Sequence, residues 1–179
     1  MPITRRAIVG LLHVAAFLGA LVPAQAADHV VDAAPFMEPV AAPKVGMLIL
    51  LRHADRNRGE TELNDTGRAR AAALPAALAG LGIDAIYHTD FARNADTAAP
   101  LAAATGLTPE VFTPDETLSR RLVAAATGRG VVWIGNVNNL VDLWDALGLE
   151  GPAPTRYGSV AVLTAEDGDW RLDWRHHGP

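Results

Sequence analysis

The chain is built from short, wholly apolar runs that stop abruptly at polar residues. Val45 to Leu51 forms the first strand, and its core Met47-Leu48-Ile49-Leu50-Leu51 runs straight into Arg52-His53-Ala54-Asp55-Arg56. Ile83 to Tyr87 runs into His88-Thr89, and Val131-Val132-Trp133-Ile134 closes on Gly135-Asn136. Apolar runs of this length without polar alternation are strands buried on both faces, the usual centre of a parallel sheet. The intervening stretches carry helical spacing. Ala71, Leu74, Leu78 and Leu81 mark the buried face of a helix from about Thr66 to Ala79, capped by Asn64 or Asp65, kinked at Pro75 and ended by Gly80 and Gly82. A second helix is expected from about Phe91 to Thr105, capped by Asp90 and stopped by Gly106. Glu110 to Phe112 reads as a short strand and Asp115 to Ala126 as a weak helix. Leu140, Leu143, Trp144 and Leu147 give a further apolar stripe at helical spacing. After a Pro-containing loop at Gly151 to Thr155, Ser159 to Thr164 and Trp170 to Trp174 alternate around Asp167-Gly168, which predicts a C-terminal hairpin. This order of elements predicts an α/β fold: a three-layer α/β/α sandwich around a mainly parallel sheet.

The N-terminus adds a targeting segment. Arg5 and Arg6 precede an apolar run from Ala7 to Val22, and Ala24-Gln25-Ala26 fits a small-x-small cleavage site, so residues 1–26 read as a secretion signal. Thr4-Arg5-Arg6 also resembles, loosely, the start of a twin-arginine signal. Residues 27–44 are Ala- and Pro-rich without a period and read as a linker or arm, leaving residues 45–179 as the folded domain. The expected location is periplasmic or secreted, with no membrane association once the signal is removed. The chain has no cysteine, which excludes disulfides and thiolate catalysis. The net charge is −5 and no basic face stands out, which argues against a nucleic-acid partner.

Three buried strands ending in polar residues should converge, because ligands of open α/β sheets bind at the carboxyl ends of the strands. There, an imidazole such as His53 can act as a nucleophile and the guanidinium of Arg52 can hold a phosphoryl group through paired hydrogen bonds. Thr89-Asp90-Phe91-Ala92-Arg93 opens a helix, and an arginine beside unpaired helix N–H groups favours an anion. His88 and Thr89 would sit at the pocket's edge.

These blocks resemble the histidine phosphatase superfamily, the phosphoglycerate-mutase-like fold, and within it the small exported single-domain branch and the phosphohistidine phosphatases. The likeness rests on Leu51-Arg52-His53-Ala54, on Leu63-Asn64-Asp65-Thr66-Gly67-Arg68-Ala69-Arg70-Ala71, on Thr89, Arg93 and Thr97-Ala98, and on Val131 to Asn136. It implies that His53 attacks phosphorus to form phosphohistidine, that Arg52 and Arg93 bind the phosphoryl oxygens, that a carboxylic acid protonates the leaving group, and that no metal or cofactor is needed. The substrate would be a small phosphorylated molecule or a phosphorylated envelope group.

The fourth block departs from the family. Asn136 stands where the family has a second histidine, and the chain holds no histidine between His88 and His176. An amide can contact phosphate but carries no charge, so reduced activity is expected, with a catalytically inactive phosphate-ligand binder as the alternative. Asn136 is equally well placed to cap the helix that follows it. The acid stays open among Asp55, Asp115 and Glu116. His176 and His177, without partner carboxylates, are expected to be solvated tail residues and not metal ligands.

Overall fold

The computed structural model describes residues 38–179; the signal and most of the arm read from the sequence lie outside the described residues. Six strands form one sheet: β1 (Val45–Arg52), β2 (Ala85–His88), β3 (Glu110–Val111), β4 (Gly130–Gly135), β5 (Ser159–Glu166) and β6 (Asp169–His176), in the order β3-β2-β4-β1-β5-β6. β3, β2, β4 and β1 run parallel, while β5 pairs antiparallel with both β1 and β6. Four helices cover the sheet: α1 (Asp65–Ala77), α2 (Ala92–Thr105), α3 (Leu118–Ala126) and α4 (Val137–Ala146).

The apolar runs are buried on both faces, and alternate residues serve different layers. Leu48, Leu50, Val131 and Trp133 pack with Leu122 of α3 and Leu140, Leu143 and Trp144 of α4. Ile49, Leu51, Val132 and Ile134 pack with Leu74 of α1 and Ala98 and Leu101 of α2. Two helices therefore lie on each side of the sheet, which is the three-layer sandwich. At the start of the described chain, Val40 donates its N–H to Ala146 O at 2.8 Å and packs on the α3/α4 core.

Helix starts moved where local hydrogen bonding competes with the expected cap. Asn64 caps α1, its Oδ1 accepting from Gly67 N–H at 2.9 Å. Asp90 does not cap α2. A bond from Phe91 N–H to Thr89 O at 2.8 Å closes a turn there, so the helix begins one residue later, with Phe91 at the cap position and no side-chain cap. Asp115 does not open α3. Its Oδ1 accepts from Thr117 N–H at 2.9 Å and from the Thr117 hydroxyl at 2.6 Å, and this local turn delays the helix to Leu118. Pro75 lies inside α1, which ends within one turn of it at Ala77. The hairpin turns at Asp167 (φ 53°) and Gly168 (φ 101°), the left-handed pair that a two-residue loop between twisted strands favours.

Candidate active site

The sheet register brings the polar ends together. Arg52 pairs with Gly135, and His53 N–H donates to Gly135 O at 3.0 Å, so the residue after β1 lies beside the turn that carries Asn136. His88 pairs with Ile134, which puts Thr89 on the other flank of the same turn. The result is a cavity of about 460 Å³ whose lining includes Arg52, His53, Arg93 and Asn136, together with Arg56 and Asp142.

His53 is 2% exposed, and its Nδ1 lies 2.7 Å from Ala54 O. A carbonyl only accepts, so Nδ1 carries the proton and Nε2 keeps the lone pair. Burial pushes the imidazole pKa down to about 4, with Arg52, Arg93 and Arg56 adding to the shift against the Ala54 hydrogen bond. At neutral pH His53 is therefore a neutral base with its free nitrogen defined, the form a nucleophile needs. The loop that holds it is tied to α2: Thr97 Oγ1 accepts from Ala54 N–H at 2.9 Å and donates to Arg93 O at 2.7 Å. It is also pressed against α1, where a Cβ on Gly67 would lie 2.0 Å from Asp55 O; only glycine allows that approach.

The arginines around His53 lack carboxylates. Arg52 donates to Thr155 O at 3.0 Å and to the Tyr157 hydroxyl at 3.1 Å. Arg56 donates to Asn57 O at 3.1 Å and Glu60 O at 2.9 Å. Arg93 donates to Asn136 Oδ1 at 3.1 Å and lies 4.2 Å above the Phe91 ring. Among the described residues none of the three forms an ion pair, whereas Arg68, Arg70, Arg121, Arg171 and Arg175 each do. Burial and the neighbouring guanidiniums lower the pKa of Arg52 and of Arg93. Three cations lining one cavity in an acidic protein can favour an anion carrying more than one charge.

Asn136 occupies the N-cap position of α4, but its side chain points to other partners. Arginine is a donor only, so the oxygen of the amide must face Arg93, and Nδ2 donates to Thr89 Oγ1 at 2.9 Å. The cap runs in the reverse direction: Asn139 Oδ1 accepts from Asn136 N–H at 3.0 Å. A Cβ on Gly135 would lie 2.4 Å from that Oδ1, so glycine makes room for the return. Asn136 therefore holds Arg93, and one hydrogen of its amide has no partner among the described residues.

The remaining residues singled out in the sequence lie elsewhere. Thr89 is buried under Asn136 and does not line the cavity. His88 is also buried outside the lining, its Nδ1 2.8 Å from Thr89 O. Asp55 is turned away from the cavity and ion-paired with Arg70 at 2.5 Å. Asp115 and Glu116 line a separate cavity next door, and the hydrogen bonds from Thr117 hold Asp115 below the usual carboxylate range, the wrong direction for an acid. His177 is not solvated: it is 2% exposed, with Nδ1 3.1 Å from Arg70 O, because the tail folds down onto α1. Among the described residues no three His, Asp or Glu side chains are grouped to hold a metal ion.

Three contributors were missed. Arg56 lies in the opening motif but was not singled out. Tyr157, whose ring sits 4.0 Å from the Arg52 guanidinium and 5.8 Å from the His53 ring, comes from the loop before β5 and has no local signal. Asp142 is the only carboxylate among the cavity's lining residues. Asn136, Asn139 and Asp142 recur every third residue, a polar stripe that could have been read beside the apolar one.

Residues 48–118 match the Histidine phosphatase superfamily (branch 1). No curated protein matches the chain. Among solved structures, mycobacterial glucosyl-3-phosphoglycerate phosphatase in complex with inorganic phosphate is 23% identical with a TM-score of 0.55, covering 72% of this chain and 95% of that one. A SixA of Agrobacterium tumefaciens assigned as a phosphohistidine phosphatase is 25% identical with a TM-score of 0.52, covering 72% and 96%. The protein histidine phosphatase SixA complexed with tungstate is 16% identical with a TM-score of 0.55, covering 73% and 96%. The family segment runs from β1 to the start of α3 and holds Arg52, His53 and Arg93; Asn136 lies beyond it.

Proposed function

We propose that the protein is an exported phosphomonoesterase that acts through phosphohistidine on His53, slowed by the amide at position 136. The observation that carries this reading is the set of three arginines without carboxylate partners around a neutral histidine whose Nε2 is free. Nε2 attacks phosphorus, the ester P–O bond breaks, and Arg52, Arg93 and Arg56 hold the phosphoryl oxygens as charge builds on them. Asp142, the one carboxylate among the cavity's lining residues, would give the departing oxygen its proton. Water then attacks phosphorus, forming a new P–O bond as the P–N bond breaks, which releases phosphate and restores neutral His53. The substrate class is a small phosphorylated molecule or a phosphorylated envelope group, taken up outside the cytoplasm.

A second reading, a binder of phosphorylated ligands without turnover, is favoured by one observation: Asn136 supplies no charge, and its oxygen and one of its two amide hydrogens are already engaged. Mixing the protein with a radiolabelled aryl phosphate and quenching in alkali separates the two. The enzyme carries acid-labile, alkali-stable label on His53; a protein that binds phosphate yet takes no label is the binder. Asp142→Asn should slow alkyl phosphates about 100-fold while sparing aryl phosphates, whose leaving groups need no proton. Equal slowing of both classes would remove Asp142 from that role.

A further inference from the structure

β6 is an open sheet edge of eight residues, Asp169-Trp170-Arg171-Leu172-Asp173-Trp174-Arg175-His176. It pairs with β5 at every residue, without a bulge, and it carries neither proline nor lysine, the usual devices that keep an edge from pairing. Among the described residues nothing pairs with its outer side. The two-residue turn makes Glu166 and Asp169 a hydrogen-bonded pair, so the odd-numbered residues of β6 bond to β5. The N–H and C=O groups of Trp170, Leu172 and Trp174 then point outward.

We propose that β6 pairs antiparallel with β6 of a second copy about a two-fold axis at Leu172, joining the two sheets into one. The sequence is self-complementary in that register. Asp169 falls opposite the partner's Arg175, and Arg171 opposite the partner's Asp173, each contact occurring twice by symmetry. The outward-pointing even residues exchange the backbone bonds, which leaves the charged pairs at the non-hydrogen-bonded positions, where facing side chains are closest. On the other face Trp170 meets the partner's Trp174 and Leu172 meets itself. There Trp170 and Leu172 already pack on the α3/α4 core, while Trp174 stacks on Trp144 at 5.8 Å and stays 45% exposed.

Other registers fail for physical reasons. A slip of two residues either way sets Asp against Asp and Arg against Arg. A slip of one residue puts the charged row against the tryptophans. Within one copy Arg171 lies 3.6 Å from Glu166 and Arg175 lies 3.7 Å from Asp173, both loose ion pairs, while Arg175 also donates to Ala77 O at 3.1 Å. No residue of β6 lines the cavity at His53, so both cavities stay open in the dimer.

Sedimentation equilibrium of the full chain, from micromolar to millimolar, tests the pairing. The parent should form a concentration-dependent dimer. Arg171→Asp and Asp173→Arg should each raise its dissociation constant about tenfold or more, since each sets like charges opposite one another. An equimolar mixture of the two variants should recover the dimer, because Asp at 171 then faces Arg at 173 in the other chain. Circular dichroism of each variant matching the parent shows that the fold is kept. A parent that stays monomeric at millimolar concentration, a dimer indifferent to both substitutions, or a mixture no better than either variant alone overturns the proposal.

Discussion

Two histidines in this protein have nearly the same local chemistry and opposite surroundings. His53 and His177 are each 2% exposed, each has Nδ1 against a backbone carbonyl, and burial pushes each pKa down to about 4. Nε2 of His53 belongs to a ring that lines a cavity with three arginines lacking carboxylates. Nε2 of His177 is buried with no partner among the described residues, beside an arginine already neutralised by Asp55. A depressed pKa is thus no signature of a reactive group. It records desolvation, which a packed tail produces as readily as an active site. What separates the two is access and uncompensated positive charge.

The largest effect should come from removing each imidazole in turn. His53→Ala is expected to abolish label transfer and lower turnover by at least about 10⁴-fold, with the melting temperature little changed. His177→Ala should do the reverse, costing roughly 2 kcal/mol of stability through the cavity it leaves, with label transfer retained. Loss of labelling in the tail variant while it remains folded would erase the distinction between the two sites.

Asn136→His sharpens the functional half of the comparison. A histidine beside Arg93 should raise kcat/KM by about 10- to 1,000-fold, the range for one charged donor that acts mainly in the transition state. Because Asn136 also accepts from Arg93 and donates to Thr89, the double variant with Arg93→Ala should lose most of that gain. A variant as slow as the parent on aryl and alkyl phosphates alike would favour the binder.

The smallest effect is on pH dependence. Unfolded histidine titrates near 6.5, whereas both native histidines stay neutral down to about 4. Above 6.5 neither state takes up the proton and neither histidine affects stability. Between 6.5 and 4 the unfolded chain binds protons that the native chain does not, so stability falls as pH falls. His177→Leu should flatten the decline in melting temperature across this window, and saturating phosphate should leave the His177 share of it in place. An identical slope with and without His177 would show that its burial has no energetic consequence.

The sequence by itself determined the layers of this fold and the ends of its strands. Continuous apolar runs have one stable setting, a sheet covered on both faces, and Arg52, His53 and Asn136 are placed at its rim by chain continuity alone. The apolar stripe from Leu140 to Leu147 and the Asp167-Gly168 turn were legible for the same reason: each is a periodic or conformational signal contained within a few residues. Tertiary structure decided everything that depends on which neighbour arrives. Asp90 read as a helix cap and Asp115 as a helix start, but competing turns with Thr89 and Thr117 moved both starts. Asp55 adjoins Arg52-His53 in sequence, yet it faces Arg70, fifteen residues further along a loop and helix that only the closed fold brings back. His177 looked like a solvated tail residue until the tail packed on α1, and Tyr157 reached Arg52 across more than a hundred residues. Periodicity reports how a segment divides its surface between core and water. It carries no information about the partner a polar side chain finds, because that partner is fixed by packing between segments far apart in the chain.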